Sequence, residues 1–142
     1  PLDHSGLRVD LAQRPELRRG AVDFAVGKDY FYKGRTPAPA CYLFVIEVTS
    51  VAVKSGLLRS ACTALQKILP TLPANTKVGL MTYDTAAHFF NLTPGRQQPQ
   101  MLVMPDLQAG FMPIGREAVV VSYSEAKTVF DALLAKLPSM FE

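Results

Sequence analysis

The chain has 142 residues, 49% of them hydrophobic and 19% charged, which is typical of one globular domain and excludes a disordered chain. Fifteen basic residues against twelve acidic ones leave a net charge of +3, too small a surplus to indicate nucleic-acid binding by itself. No apolar run reaches the roughly 18 residues of a membrane-spanning helix, and residues 1–10 contain no signal core, so we expect a soluble protein.

Residues 1–20 show no regular apolar pattern, and we interpret them as an extended connector. Three arginines lie close together within it: Arg14, Arg18 and Arg19. Such a cluster is either a solvated basic surface or a contact for an acidic partner, and the sequence leaves both interpretations open. The three arginines are therefore candidates for binding a partner.

Residues 21–40 predict a β-strand followed by a proline-containing lead-in. Apolar side chains occupy every second position from 22 to 26, which is the period of a half-buried strand. Three aromatic residues follow at 30–32, and we expect them to anchor this segment on the core. Pro37 and Pro39 then make the chain stiff and extended.

The stretch from 41 to 69 organises the rest of the chain. Its first eight residues, CYLFVIEV, are almost all apolar and predict a strand that is buried on both faces. After a short turn, apolar residues recur at steps of three and four from 53 to 69, which predicts a helix that ends at Pro70. A buried strand that feeds a helix is the first half of a βαβ unit.

The next elements predict a hairpin in the same sheet. Residues 77–83 and 87–93 are strand-like and are joined by a tight connection, so antiparallel pairing joins the parallel pairing of the first unit. His88 lies in the second of these strands, and we interpret it as a partly exposed strand residue rather than a ligand. Residues 106–115 resemble a loop.

A well-marked helix closes the chain. Ser122, followed three residues later by Glu125, forms a capping box ahead of an apolar face that runs to Leu137, and Pro138 is expected to end this helix.

The sequence contains neither the G-x-S-x-G of a nucleophile elbow nor a phosphate-binding G-x-x-x-x-G-K-[ST] loop, and we expect no catalytic residues. Cys41 and Cys62 lack C-x-x-C spacing and a neighbouring histidine, so they are interpreted as core thiols of a reducing compartment, with a disulfide as the alternative.

The turn after the first strand has a counterpart in von Willebrand A type domains, where a D-x-S-x-S motif holds a divalent cation through carboxylate and hydroxyl oxygens. The matching positions here are Glu47, Thr49 and Val51. Glutamate is one methylene longer than aspartate, and valine offers no oxygen. We therefore interpret the turn as a degenerate cation site and expect no metal there.

The chain resembles the trunk domain of the cargo-selecting Sec subunit of the COPII inner coat. The resemblance is carried by PLDHSG at 1–6, RPEL at 14–17, VGLMTYD at 78–84, HFFNL at 88–92 and QPQMLV at 98–103. Further matching residues lie at 22–24, 28–30, 42–48, 54–58, 124–127 and 137–141. The resemblance implies an α/β fold, a partial von Willebrand A type (Rossmann-like) trunk with a mixed central sheet flanked by helices.

The same resemblance implies the domain organisation. Residues 1–20 would follow a zinc ribbon that lies before Pro1, residues 21–40 would lead into the trunk, and residues 41–142 would be its first half. Chain 1–142 would then be a piece of a longer protein. A structural zinc is expected only in the upstream region, no cofactor is expected in this chain, and the first strand is expected to present an open edge.

The resemblance also implies the function: coat assembly and cargo selection in transport from the endoplasmic reticulum to the Golgi, without enzymatic activity. The implied partners are the related GTPase-activating coat subunit and the cytosolic tails of cargo proteins, with peripheral membrane contact and no nucleic acid. The implied location is cytoplasmic, in the vesicle coat at the endoplasmic reticulum membrane. Two alternatives of other classes are a cation-dependent ligand-binding A domain and a small α/β hydrolase or transferase.

Overall fold

The computed structural model describes residues 1–106, 108 and 110–141, which form two compact units, Pro1–Ala38 and Pro39–Glu142. The first unit is built from short turns. An isolated bridge pairs Leu2 with Arg8, and four 3₁₀ turns follow at Leu11–Gln13, Pro15–Leu17, Lys28–Tyr30 and Tyr32–Gly34. Residues 1–20 are therefore a turn-rich segment rather than the extended connector that we predicted.

Two further predictions for this unit are wrong. Residues 21–27 have no regular secondary structure, so the strand expected at 22–26 is absent. A strand needs a hydrogen-bonded neighbour, and alternation of apolar residues does not supply one. Tyr30 and Tyr32 are exposed, so these aromatic residues do not anchor the segment as expected.

The second unit contains the predicted mixed sheet. Its strands are β1 (Cys41–Glu47), β2 (Lys77–Tyr83), β3 (Ala87–Asn91), β4 (Gln100–Met104) and β5 (Val120–Ser122). The order is β1-β2-β3-β4, and β5 pairs with the start of β2. The β1–β2 pair is parallel and the other pairs are antiparallel, so the mixed α/β fold and the β2–β3 hairpin are confirmed.

The helices are α1 (Ser50–Lys54), α2 (Leu57–Ile68), α3 (Arg116–Val119) and α4 (Tyr123–Phe141). We predicted one continuous helix where α1 and α2 lie, but the chain breaks at Gly56, whose φ of 83° is left-handed. Glycine adopts this conformation without the steric penalty of a side chain. After α2, a 3₁₀ turn at Leu69–Thr71 contains Pro70.

The last helix starts where the sequence predicted, directly after Ser122, but it does not end at Pro138. It continues to Phe141 with Pro138 inside. Proline removes one helical hydrogen bond, yet Leu137 is fully buried and Phe141 packs against the core. Burial on both sides of the proline holds the final turn in the helix.

The main core lies between one face of the sheet and helices α2 and α4, with Leu80, Phe90 and Phe130 among its fully buried side chains. A smaller cluster on the opposite face joins Phe89, Met104 and Val119. No helix within the described residues combines the length and the apolar character needed to cross a membrane.

Strand β1 differs from its prediction on one point and agrees on another. It is not buried on both faces, because Tyr42, Leu43 and Val45 are 46%, 45% and 55% exposed. It lies at the end of the strand order and pairs only with β2 among the described strands, so the predicted open edge is present. The apolar run correctly predicted a strand. It also predicted that both faces of the strand would be buried, but the described residues do not bury Tyr42, Leu43 and Val45.

Candidate functional site

The turn between β1 and α1 holds the degenerate cation-site positions close together. Thr49 Oγ1 donates a hydrogen bond to Glu47 Oε1 at 2.6 Å and accepts one from the backbone N–H of Ala52 at 3.3 Å. Thr49 is therefore the N-cap of α1. The Thr49 hydroxyl therefore both donates and accepts a hydrogen bond within the protein.

This turn offers few oxygens to a cation. Glu47 and Thr49 supply one carboxylate and one hydroxyl that are hydrogen-bonded to each other, whereas Val51 is exposed and has no oxygen. In the part of the chain that the structure describes, no group of three His, Cys, Asp or Glu side chains is placed to hold a metal ion. The three oxygens of this carboxylate and hydroxyl fall short of the six or more that a hard divalent cation takes.

The three candidate arginines have different surroundings. Arg14 is engaged by acidic side chains: its Nε lies 3.1 Å from Asp10 Oδ2, and its Nη1 lies 3.2 Å from Glu16 Oε1. Arg8 contacts the same Asp10 carboxylate, and its hydrogen bonds hold the pKa of that carboxyl well below its usual range. Arg14 therefore belongs to a surface ion-pair network, which leaves it less available to a partner.

Arg18 and Arg19 are exposed and line one small open cavity of about 270 Å³ together with Ala12 and Pro15. The backbone N–H groups of both residues donate to the carbonyl oxygen of Pro15 at 3.0 Å. These hydrogen bonds hold the backbone from which the two side chains extend. Among the described residues, neither guanidinium has a hydrogen-bond or ion-pair partner. This pair is the part of the predicted basic cluster that is free to meet an acidic group.

The open edge of β1 presents backbone groups that have no partner among the described residues. The N–H of Val48 donates to Tyr83 O, and Lys77 N–H donates to Ala40 O, each at 2.8 Å, so the even-numbered residues of β1 point towards β2. Because backbone direction alternates along a strand, the N–H and C=O groups of Leu43 and Val45 point away from the sheet. A further strand could hydrogen-bond to them directly.

The structure also brings together a hydroxyl, an imidazole and a carboxylate that the sequence analysis missed. Thr82 Oγ1 lies 3.0 Å from His88 Nδ1, and His88 Nε2 lies 3.8 Å from Asp84 Oδ1. A hydroxyl next to an imidazole that in turn lies near a carboxylate is also the arrangement of a catalytic triad. Thr82, however, is 0% exposed, so its hydroxyl cannot meet a substrate.

These three residues therefore have a structural role. His88 is only 5% exposed, which corrects the prediction of a partly exposed histidine, and its ring lies 5.3 Å from that of Phe141. The backbone N–H of Ala86 donates to Asp84 Oδ1 at 2.9 Å and lowers the pKa of that carboxyl. The imidazole thus connects the β2–β3 hairpin to the end of α4.

The two cysteines lie in different environments. Cys62 is buried in α2, so the prediction of a core thiol is confirmed for it. Burial raises the pKa of this thiol, because the charged thiolate is poorly solvated there. Cys41 is exposed at the first position of β1, so the prediction of a core thiol is wrong for it. The cause is the open edge, because a strand position without a second neighbour remains accessible.

Comparison with known proteins identifies the family to which this fold belongs. The family model of the Sec23/Sec24 trunk domain matches residues 37–142. The chain therefore belongs to the Sec23/Sec24 trunk domain family, as its residues predicted.

Individual relatives narrow the comparison to Sec24 proteins. Protein transport protein SEC24 B of Arabidopsis thaliana is 41% identical over 143 residues, and human Sec24C is 35% identical over 147. Each alignment covers 99% of this chain but 13% of the relative, so the chain spans about an eighth of their length. The crystal structure of the human COPII-coat protein Sec24c matches with a TM-score of 0.72 and 35% identity, over 99% of this chain and 20% of that one.

Proposed function

We propose that this chain is part of a COPII vesicle coat component that selects cargo and assembles the coat in transport from the endoplasmic reticulum to the Golgi. The observation that carries the proposal is the match of 99% of the chain, in sequence and in fold, to a human COPII-coat protein. The chain acts as a non-enzymatic protein–protein interaction module. The burial of Thr82 supports this, since the one triad-like arrangement described above has no accessible nucleophile.

Residues 41–142 are proposed to be the first half of a von Willebrand A type trunk, with residues 1–20 following a zinc ribbon and residues 21–40 leading into the trunk. Two observations support the division: the relatives are far longer than this chain, and β1 has both unpaired backbone groups and exposed apolar side chains. A further strand of the same trunk beside β1 would satisfy those backbone groups and cover Leu43 and Val45.

The proposed partners are the related GTPase-activating COPII subunit and the cytosolic tails of cargo proteins. The proposed location is cytoplasmic, in the vesicle coat, with peripheral contact at the endoplasmic reticulum membrane and no nucleic-acid binding. The net charge of +3 suits weak contact with acidic surfaces and is modest for a nucleic-acid-binding chain.

Arg18 and Arg19 are the proposed contact for an acidic group on a cargo tail. Both arginines line one cavity, and a carboxylate is a ligand that suits the forked donors of a guanidinium group. The test measures binding of the full-length protein to a peptide from an acidic cargo tail, with Arg18→Glu/Arg19→Glu compared against the exposed control Lys28→Glu.

We expect the double charge reversal to weaken binding at least about tenfold, which corresponds to roughly 1.4 kcal/mol, and Lys28→Glu to have little effect. The loss should shrink as salt is raised, because exposed charges are screened. Equal affinity for the wild type and the double variant would refute the assignment of these two arginines.

The turn at Glu47, Thr49 and Val51 is proposed to be a structural N-cap that binds no cation, and no cofactor is proposed for this chain. The support is the hydrogen bond between the Thr49 hydroxyl and Glu47 Oε1, together with the absence of an oxygen on the Val51 side chain. Magnesium at 100 times the dissociation constant of an intact site would stabilise the fold by about 2.7 kcal/mol. We expect no shift in melting temperature on adding magnesium, and a dose-dependent rise would favour a cation-dependent ligand-binding A domain instead.

A further inference from the structure

No further inference is drawn: the strongest candidate, the open groove of about 560 Å³ beside the amino-terminal end of β1, combines one exposed cysteine with surface charges of both signs, and nothing in the structure shows what ligand or partner covers it.

Discussion

Gly79 in β2 is where the packing of the sheet leaves least room for a side chain. A Cβ atom added there would lie 2.7 Å from the carbonyl oxygen of Val119 and 2.9 Å from Leu43 Cδ1. A side chain such as Leu43 can turn aside. The Val119 oxygen is a backbone atom at the junction of α3 and β5, so Gly79→Ala forces β5 away from β2.

The expected cost follows from two opposing effects. Adding a methyl group to a tightly packed site costs about 1–3 kcal/mol. The lower entropy of the unfolded alanine chain offsets about 0.5 kcal/mol of this. We therefore expect Gly79→Ala to lower the free energy of unfolding by about 0.5–2.5 kcal/mol, which for a unit of about 100 residues lowers the melting temperature by about 2–12 °C.

Thermal unfolding followed by circular dichroism measures this change, with Gly20→Ala as the matched control. Gly20 has no atom within 4 Å of an added Cβ and no left-handed φ, so its substitution should change stability by less than about 0.5 kcal/mol. If both variants melt together with the wild type, the close approach of β5 to β2 is not as described.

Three further predictions concern the buried histidine, the exposed thiol and the ion-pair network. Thr82→Val should cost about 1–3 kcal/mol in urea unfolding by leaving His88 Nδ1 buried without its hydrogen-bond partner, and an unchanged stability would contradict that contact. A thiol reagent should modify one cysteine rapidly in the folded protein, and Cys41→Ser should abolish that phase; persistence of the phase would contradict the exposure of Cys41. Because the pKa of Asp10 is lowered, its stabilising effect is present at neutral pH and is lost as the pH falls through its folded pKa. Carboxyl NMR of Arg8→Gln should show that pKa rising towards the usual range, and no change would rule out the role given to Arg8.

Much of the second unit could be predicted because its signals are local. The β2–β3 hairpin follows from two apolar strands around a tight connection. The start of α4 directly after Ser122 was also predicted, but the capping box used to predict it does not form among the described residues, because Ser122 Oγ pairs with Ser124 Oγ at 3.0 Å. The contact between Thr82 and His88 was also within reach, since the predicted hairpin places these two residues opposite each other.

The errors arose where tertiary surroundings decide the outcome. Pro138 ends an isolated helix, but the buried Leu137 and the packing of Phe141 hold its last turn. The alternation at 22–26 gave no information on whether a partner strand is present. The exposure of Cys41 depends on how many neighbours β1 has, and an apolar run does not encode that number.

For the candidate site, the sequence showed that Val51 supplies no oxygen to a cation. It did not show which of the three arginines are already engaged in ion pairs. The structure shows that Arg14 is held by Asp10 and Glu16, whereas Arg18 and Arg19 line a cavity. Side-chain pairing on a turn-rich surface depends on rotamers and on close carboxylates, which residue spacing does not determine.

We propose that this chain is part of a COPII coat subunit, and the most direct test is whether the full-length protein binds the related GTPase-activating coat subunit. Both purified proteins are mixed, and complex formation is measured by size-exclusion chromatography with light scattering. We predict a stable complex that contains one copy of each subunit. Two folded proteins that elute separately at micromolar concentration would contradict the account.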